Sequence, residues 1–153
     1  MEKYFRTENG ELVNVVEHTL EQINKHPNLR IYIGTDSQVF NPKVRYVTAI
    51  VYRYNTRGAH YIYYSEIVPK IKDNFLRLYN EGARTLEAAS LLTDELPVEI
   101  EALEFDYAGI KKTISSPLVS AFKGYRNAVF KGGQMIASKA ADHILRKNKV
   151  IEE

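Results

Sequence analysis

Hydrophobic and polar positions alternate with a period of two in two stretches of the chain. Between Val44 and Tyr54 the even and odd positions form two distinct faces, and a second stretch runs from His60 to Ile67. The segment between them, Asn55-Thr56-Arg57-Gly58, is a favourable hairpin turn. A shorter apolar stretch at about residues 30–36 indicates a buried strand. Because the three strands follow one another through short connections, the pattern predicts an antiparallel meander.

Other apolar positions recur at helical spacing. They predict helices at about residues 11–25, 73–93, 116–125 and 135–147. The third helix is placed by Ser116 and Pro117, because a hydroxyl cap followed by proline at the first helical position is a common helix start. Two further strands are expected at about residues 98–106 and 127–131. Residues 1–10 are expected to form a loose lead-in.

Length and composition are typical of one globular domain covering residues 1–153. The apolar content of 44% and the charged content of 26% are ordinary for this class. The chain has no cysteine, so disulfide and thiolate chemistry are excluded. It has no apolar run of roughly 18 residues, as a membrane span needs, and Met1-Glu2-Lys3-Tyr4 does not open a signal peptide. We therefore expect a soluble, cytoplasmic protein.

The net charge of +2 hides an uneven distribution. Residues 71–106 contain nine acids and three bases, a net charge of −6. Residues 107–150 contain nine bases and one acid, Asp142, a net charge of +8. Such a distribution could place metal ligands beside a surface that binds phosphate groups. The alternative is that each run is a solvated helix face.

Two aspartates follow predicted strands. Asp36 comes after Gly34 at the end of the first strand of the meander, and Asp106 ends the strand at 98–106. A carboxylate at the end of a strand is held on a rigid scaffold, as a metal site requires. Asp36 could instead serve only to cap the turn with its own side chain. The residues alone leave both interpretations open.

The order of elements and several motifs resemble the YkuK-type family, an uncharacterised bacterial family classed as ribonuclease H-like. The resemblance runs from about Phe5 to Lys147. The motifs are Ile33-Gly34-Thr35-Asp36-Ser37-Gln38, Asn80-Glu81, Thr85-Leu86-Glu87-Ala88-Ala89 and Ile136-Ala137-Ser138-Lys139-Ala140-Ala141-Asp142. The resemblance implies an α/β fold with a ribonuclease H-like mixed sheet, in which three antiparallel strands are followed by parallel strands. Helices would flank the sheet, with one extra helix at the N-terminus.

The resemblance also implies a catalytic site made of four carboxylates. These residues, which would be both catalytic groups and metal ligands, are Asp36, Glu81, Asp106 and Asp142. Hard Mg²⁺ or Mn²⁺ ions take oxygen ligands, and two such ions can support in-line cleavage of a phosphodiester bond. The implied substrate is RNA or an RNA–DNA hybrid. Glu87 is the alternative to Glu81 as the helix ligand.

Basic residues of the last third of the chain are expected to bind nucleic acid through its phosphate backbone. They are Lys111, Lys112, Lys123, Arg126, Lys131 and Lys139. His18 and His26 are interpreted as surface residues rather than ligands, and His143 as a structural residue.

Two other functions stay open. The fold could serve as a non-catalytic nucleic-acid-binding module, which is favoured by a departure from the family pattern. Where that pattern carries Lys-Pro-Asp before the last helix, this chain has Lys131-Gly132-Gly133-Gln134, without an acid. The chain could also be a protein-interaction domain, in which case the four carboxylates need not converge.

Overall fold

A computed structural model of the protein describes residues 1–55, 57–130 and 135–147. The strands are β1 (Tyr4–Thr7), β2 (Leu12–Asn14), β3 (Arg30–Phe40), β4 (Lys43–Arg53), β5 (Ala59–Pro69), β6 (Ala102–Glu104) and β7 (Ala128–Val129). The helices are α1 (Val15–Lys25), α2 (Asn74–Thr93), α3 (Lys112–Phe122) and α4 (Ile136–Lys147). The strands form a single sheet in the order β2-β1-β5-β4-β3-β6-β7.

The predicted mixed sheet is confirmed. Strand β4 pairs antiparallel with β3 on one side and with β5 on the other, which gives the three-stranded meander. Strand β6 pairs parallel with β3, and β7 pairs parallel with β6. A parallel neighbour requires a crossover connection, and helix α2 lies in the crossover between β5 and β6.

The prediction of a loose lead-in at residues 1–10 is wrong. Strands β1 and β2 form an antiparallel hairpin whose turn contains Gly10 at a φ of 87°, and β1 also pairs with β5. Along β1 only Phe5 and Thr7 are buried, so the alternation is too short to give a periodic signal. Helix α1 begins at Val15 rather than near residue 11, because the Asn14 side chain caps it by accepting the N–H of Glu17 at 3.1 Å.

Side chains of the meander alternate between two packed layers, as its period of two requires. One face packs against α1, α2 and α3 and carries Ile31, Ile33, Ile50, Tyr52 and Ile62. The opposite face packs against α4 and carries Tyr32, Val47, Ala49, Val51 and Tyr63. Strand β3 lies between α2 and α4, so residues at its end are within reach of both helices.

The predicted start of the third helix is wrong. Helix α3 begins at Lys112, and Pro117 lies inside it rather than at its first position. Ile114 is partly buried, and Leu118 and Phe122 are buried against the core, so apolar residues recur every four positions on one side of α3. This burial outweighs the local preference of proline for the first turn.

The two predicted C-terminal strands are present but shorter than expected. The strand expected at 98–106 is reduced to β6, and the strand expected at 127–131 is reduced to β7. The helices expected at 73–93 and 135–147 are confirmed as α2 and α4, with a shift of one residue at each start. No helix within the described ranges is both long enough and apolar enough to cross a membrane.

Candidate active site

Two predicted acids lie at matching positions along neighbouring parallel strands. The strand expected at 30–36 extends to Phe40 as β3, so the prediction that Asp36 ends it is wrong: Asp36 lies inside β3 and pairs with Val47, whereas Asp106 follows β6. Gly34 of β3 is in register with Glu104 of β6, and Asp36 and Asp106 each follow two residues later. The Gly34 Cα faces the start of α4, since a Cβ built there would lie 2.9 Å from the backbone nitrogen of Ser138. Because strand side chains alternate, Asp36 lies on the same face as α4.

Asp36 is partly buried and surrounded by acids. One of its oxygens accepts the backbone N–H of Ser37 at 2.8 Å. The pKa of Asp36 is raised to about 6, chiefly by burial. The negative charges of Asp142 and Asp106 contribute to this rise, whereas the Ser37 hydrogen bond and the Arg77 charge act in the opposite direction. The ionised carboxylate is therefore costly at this position unless a cation lies near it.

Glu81 reaches the same region from helix α2 on the other face of the sheet. The residue is only 5% exposed, and burial raises its pKa to about 8. The negative charges of Asp36 and Asp106 contribute to this raised pKa, whereas the hydrogen bond from Ser37 and the charge of Arg77 act in the opposite direction. Glu81 therefore lies within electrostatic reach of two other predicted site residues.

Asp106 and Asp142 complete the predicted set. Asp106 is exposed; one of its oxygens accepts the backbone N–H of Ala108 at 3.2 Å, and the other accepts the Ser138 hydroxyl at 3.4 Å. Asp142 lies in the middle of α4, and Arg146 donates to it at 2.8 Å. The negative charge of Asp142 is one of the causes that raise the pKa of Asp36.

The alternative helix ligand and the adjacent histidine lie elsewhere. The Glu87 carboxylate pairs with the amino group of Met1 at 3.2 Å, and Glu87 lines a cavity of about 810 Å³ between α1, the end of α2 and the segment before β6. His143 is exposed on α4. Geometry thus favours Glu81 over Glu87 as the partner of Asp36.

Sequence reasoning missed the buried carboxylate of Glu104. Its two oxygens accept the backbone N–H groups of Ala137 and Ser138, at 3.1 and 2.9 Å, in the first turn of α4. These bonds satisfy amide donors that a helix start leaves without partners inside the helix, and they fix α4 against β6. The only sequence signal was an acid between the apolar residues Leu103 and Phe105.

Three further side chains near Glu81 were also missed. The Ser37 hydroxyl donates to Glu81 at 2.5 Å, and Arg77 donates to that hydroxyl at 2.8 Å. The Tyr107 hydroxyl is buried, and the charge of Glu81 adds to the effect of burial in raising its pKa. Within the described residues this hydroxyl has no hydrogen-bond partner. These contacts depend on the packing of β3 against α2, which periodicity does not specify.

The predicted nucleic-acid-binding residues are exposed on two layers. Lys111, Lys112 and Lys123 lie at the two ends of α3, and Lys139 lies on α4. Arg126 follows α3 and pairs with Glu99 at 2.9 Å. Lys131 lies outside the described residues.

The chemistry of the four carboxylates fits Mg²⁺ or Mn²⁺, which prefer oxygen ligands. Whether the carboxylates are placed so that they could hold an ion is a separate question. Across residues 1–55, 57–130 and 135–147, no group of three or more His, Cys, Asp or Glu side chains is placed so that it could hold a metal ion. All four carboxylates accept hydrogen bonds from protein groups. Asp36 and Glu81 accept from Ser37, Asp106 from Ala108 and Ser138, and Asp142 from Arg146.

A comparison with protein families decides the classification. A family model described as ribonuclease H-like matches residues 12–144. The chain belongs to the ribonuclease H-like family. Comparisons with curated proteins and with solved structures gave no significant match. The matched range of this ribonuclease H-like chain includes β3, β6, α2 and most of α4, the elements that carry all four predicted site residues.

Proposed function

We propose that the protein is a metal-dependent nuclease of the YkuK type that hydrolyses phosphodiester bonds of RNA or of an RNA–DNA hybrid. The observation that supports this best is the register of β3 and β6, which places Asp36 and Asp106 at matching positions along neighbouring parallel strands. The charges of Asp106 and Asp142 are among the causes that raise the pKa of Asp36. Glu81 is added from α2. Acids that repel one another in a partly buried place are a common feature of functional sites.

The proposed roles follow from the chemistry of the side chains. Asp36, Glu81, Asp106 and Asp142 would hold two Mg²⁺ or Mn²⁺ ions, which when bound supply charge stabilisation at the phosphate oxygens. Two bound ions would activate water without any nucleophile from the protein, and the chain has no cysteine to serve as one. Water is the proposed nucleophile, and the expected products carry a 5′-phosphate and a 3′-hydroxyl.

Basic residues of the last third of the chain are the proposed contacts to the nucleic-acid backbone. They are Lys111, Lys112, Lys123, Arg126, Lys131 and Lys139. Contacts of this kind neutralise phosphates without reading the sequence.

Cleavage assays test the nuclease proposal. Labelled single-stranded RNA, RNA–DNA hybrid and single-stranded DNA are incubated with the protein in Mn²⁺, Mg²⁺, Ca²⁺ or chelator. We expect cleavage of RNA or hybrid in Mn²⁺ and Mg²⁺, none in chelator, and little in Ca²⁺, because its looser coordination does not hold octahedral geometry. Asp36→Asn and Asp106→Asn should each abolish cleavage. Asp94→Asn, at the exposed C-cap of α2, is the matched control and should cleave like the wild type.

A non-catalytic nucleic-acid-binding module is the second candidate. It is favoured by the arrangement of the acids, since within the described ranges no three of them are placed to hold an ion. In the same assays this module would bind the labelled strands in a salt-dependent manner and would cut none of them with any metal. That result would overturn the nuclease proposal.

A further inference from the structure

Arg77 places a positive charge inside the acidic site. It lies on α2 one turn before Glu81, and its guanidinium is 3.6 Å from the nearer Glu81 oxygen. The side chain is 22% exposed, so solvent screens this charge less than that of a surface arginine. Arg77 has no role in the function proposed above.

Hydrogen bonds fix the guanidinium in this position. One of its terminal nitrogens donates to the Ser37 hydroxyl at 2.8 Å, and the other donates to the Asn74 side chain at 2.6 Å. The Ser37 hydroxyl in turn donates to Glu81 at 2.5 Å. Arg77, Ser37 and Glu81 therefore form one chain of bonds from helix α2 to β3 and back.

The positive charge acts on two of the four predicted acids. It lowers the pKa of both Asp36 and Glu81 and so opposes the effect of burial on each. Stabilisation of the ionised form of both acids is the effect that a bound cation would have.

We propose that Arg77 is an intramolecular counter-ion that neutralises Glu81 and Asp36, and that a divalent cation binds the site in competition with it. This inference rests on the proposed function, because it assumes that these carboxylates bind divalent ions. A cation beside Glu81 is repelled by the guanidinium, which lies 3.6 Å from the nearer Glu81 oxygen and is hydrogen-bonded to the Ser37 hydroxyl that donates to the same carboxylate.

Arg84 provides a matched control on the same helix. It pairs with Glu66 at 3.2 Å and lies over the Tyr46 ring at 4.0 Å, and its side chain is 15% exposed. Arg77 and Arg84 are thus both partly buried and paired with a carboxylate, but the partner of Arg84, Glu66, is not one of the four predicted site acids.

Calorimetric titration of the chelator-free protein with Mn²⁺ tests the competition. The Kd of Arg77→Gln for Mn²⁺ should be lower than that of the wild type by about tenfold, since one like charge is removed from a partly screened site. Arg84→Gln should bind Mn²⁺ like the wild type. Thermal unfolding of each variant in chelator shows whether the substitution has left the fold intact.

The outcomes separate this inference from the nuclease proposal. If folded Arg77→Gln binds Mn²⁺ with the same or lower affinity than the wild type, Arg77 either positions the acids or has no effect on ion binding. That result overturns the inference and leaves the nuclease proposal standing. If Arg77→Gln binds more tightly but no variant cleaves nucleic acid, the inference stands and the nuclease proposal fails. If none of the three proteins binds Mn²⁺, both are overturned.

Discussion

At the scale of single residues, Gly34 sets the distance between β3 and α4. A Cβ at this position would lie 2.9 Å from the Ser138 nitrogen and 3.3 Å from two atoms of Ala137. The neighbours on the α4 side include backbone atoms of the turn that Glu104 holds through two hydrogen bonds. A shift of α4 away from β3 would strain these bonds, so the close approach favours glycine at this position.

The substitution Gly34→Ala should therefore destabilise the protein by about 1–3 kcal/mol, the usual cost of overpacking a tight site. Gly124→Ala is the control, because a Cβ there meets no atom within 4 Å and the backbone does not have the positive φ that favours glycine. The control should be neutral or slightly stabilising. Urea denaturation of the three proteins measures both effects. Equal destabilisation by the two substitutions would show that the Gly34 contact is not tight.

At the scale of whole elements, two histidines join α1 to the sheet. His18 of α1 and His60 of β5 approach each other at 2.7 Å between their Nε2 atoms, with ring centroids 4.9 Å apart. The prediction that His18 is a surface residue is thus wrong, because the ring is half-buried against its partner. One neutral ring donates and the other accepts, so the contact cannot survive when both rings are fully protonated.

The contact gives α1 a pH-dependent attachment. Burial lowers the pKa of both histidines from 6.5. For His18, the charges of His60 and Lys25 lower the pKa further, whereas the charge of Glu21 raises it. For His60, the charge of Glu8 raises the pKa and so opposes the effect of burial. The two histidines therefore bind protons more readily in the unfolded chain than in the folded chain. The stability that this contact contributes is present above about pH 6.5 and is lost as the pH falls through the folded pKa values.

Urea denaturation between pH 7.5 and 5 measures this loss. The wild type should lose more stability over this interval than His60→Gln, because the variant lacks one of the two shifted groups. His143→Gln, which changes an exposed histidine of α4, should retain the wild-type dependence. The interpretation is contradicted if His60→Gln and the wild type lose the same free energy of unfolding.

Element boundaries show what periodicity can and cannot specify. The long strands β4 and β5 and the helix α2 gave strong periodic patterns and were predicted to within a few residues. The hairpin of β1 and β2 was missed, because strands of four and three residues give too few repeats. The start of α3 was predicted wrongly, because the preference of Pro117 for the first turn of a helix was considered without the burial of Leu118 and Phe122 in the core.

At the scale of the whole molecule, the sheet joins acids that are far apart in the sequence. The predicted parallel pairing of β3 with β6 brings Asp36 and Asp106 to matching positions along neighbouring strands, and α2 and α4 add acids from the two layers. The elements that carry these residues could be predicted. The contacts of Glu81 with Ser37 and of Glu104 with α4 could not, because they depend on which faces pack together.

The most direct test of the central claim is calorimetric titration of the wild type and Asp36→Asn with Mn²⁺. If the four acids form a divalent-cation site, the wild type should bind Mn²⁺ and Asp36→Asn should bind it much more weakly, because Asp36 is the acid on which the charges of Asp106 and Asp142 both act. Asp94→Asn should bind like the wild type, since it removes an exposed carboxylate at the C-cap of α2. Equal Mn²⁺ binding by the wild type and Asp36→Asn would contradict the claim.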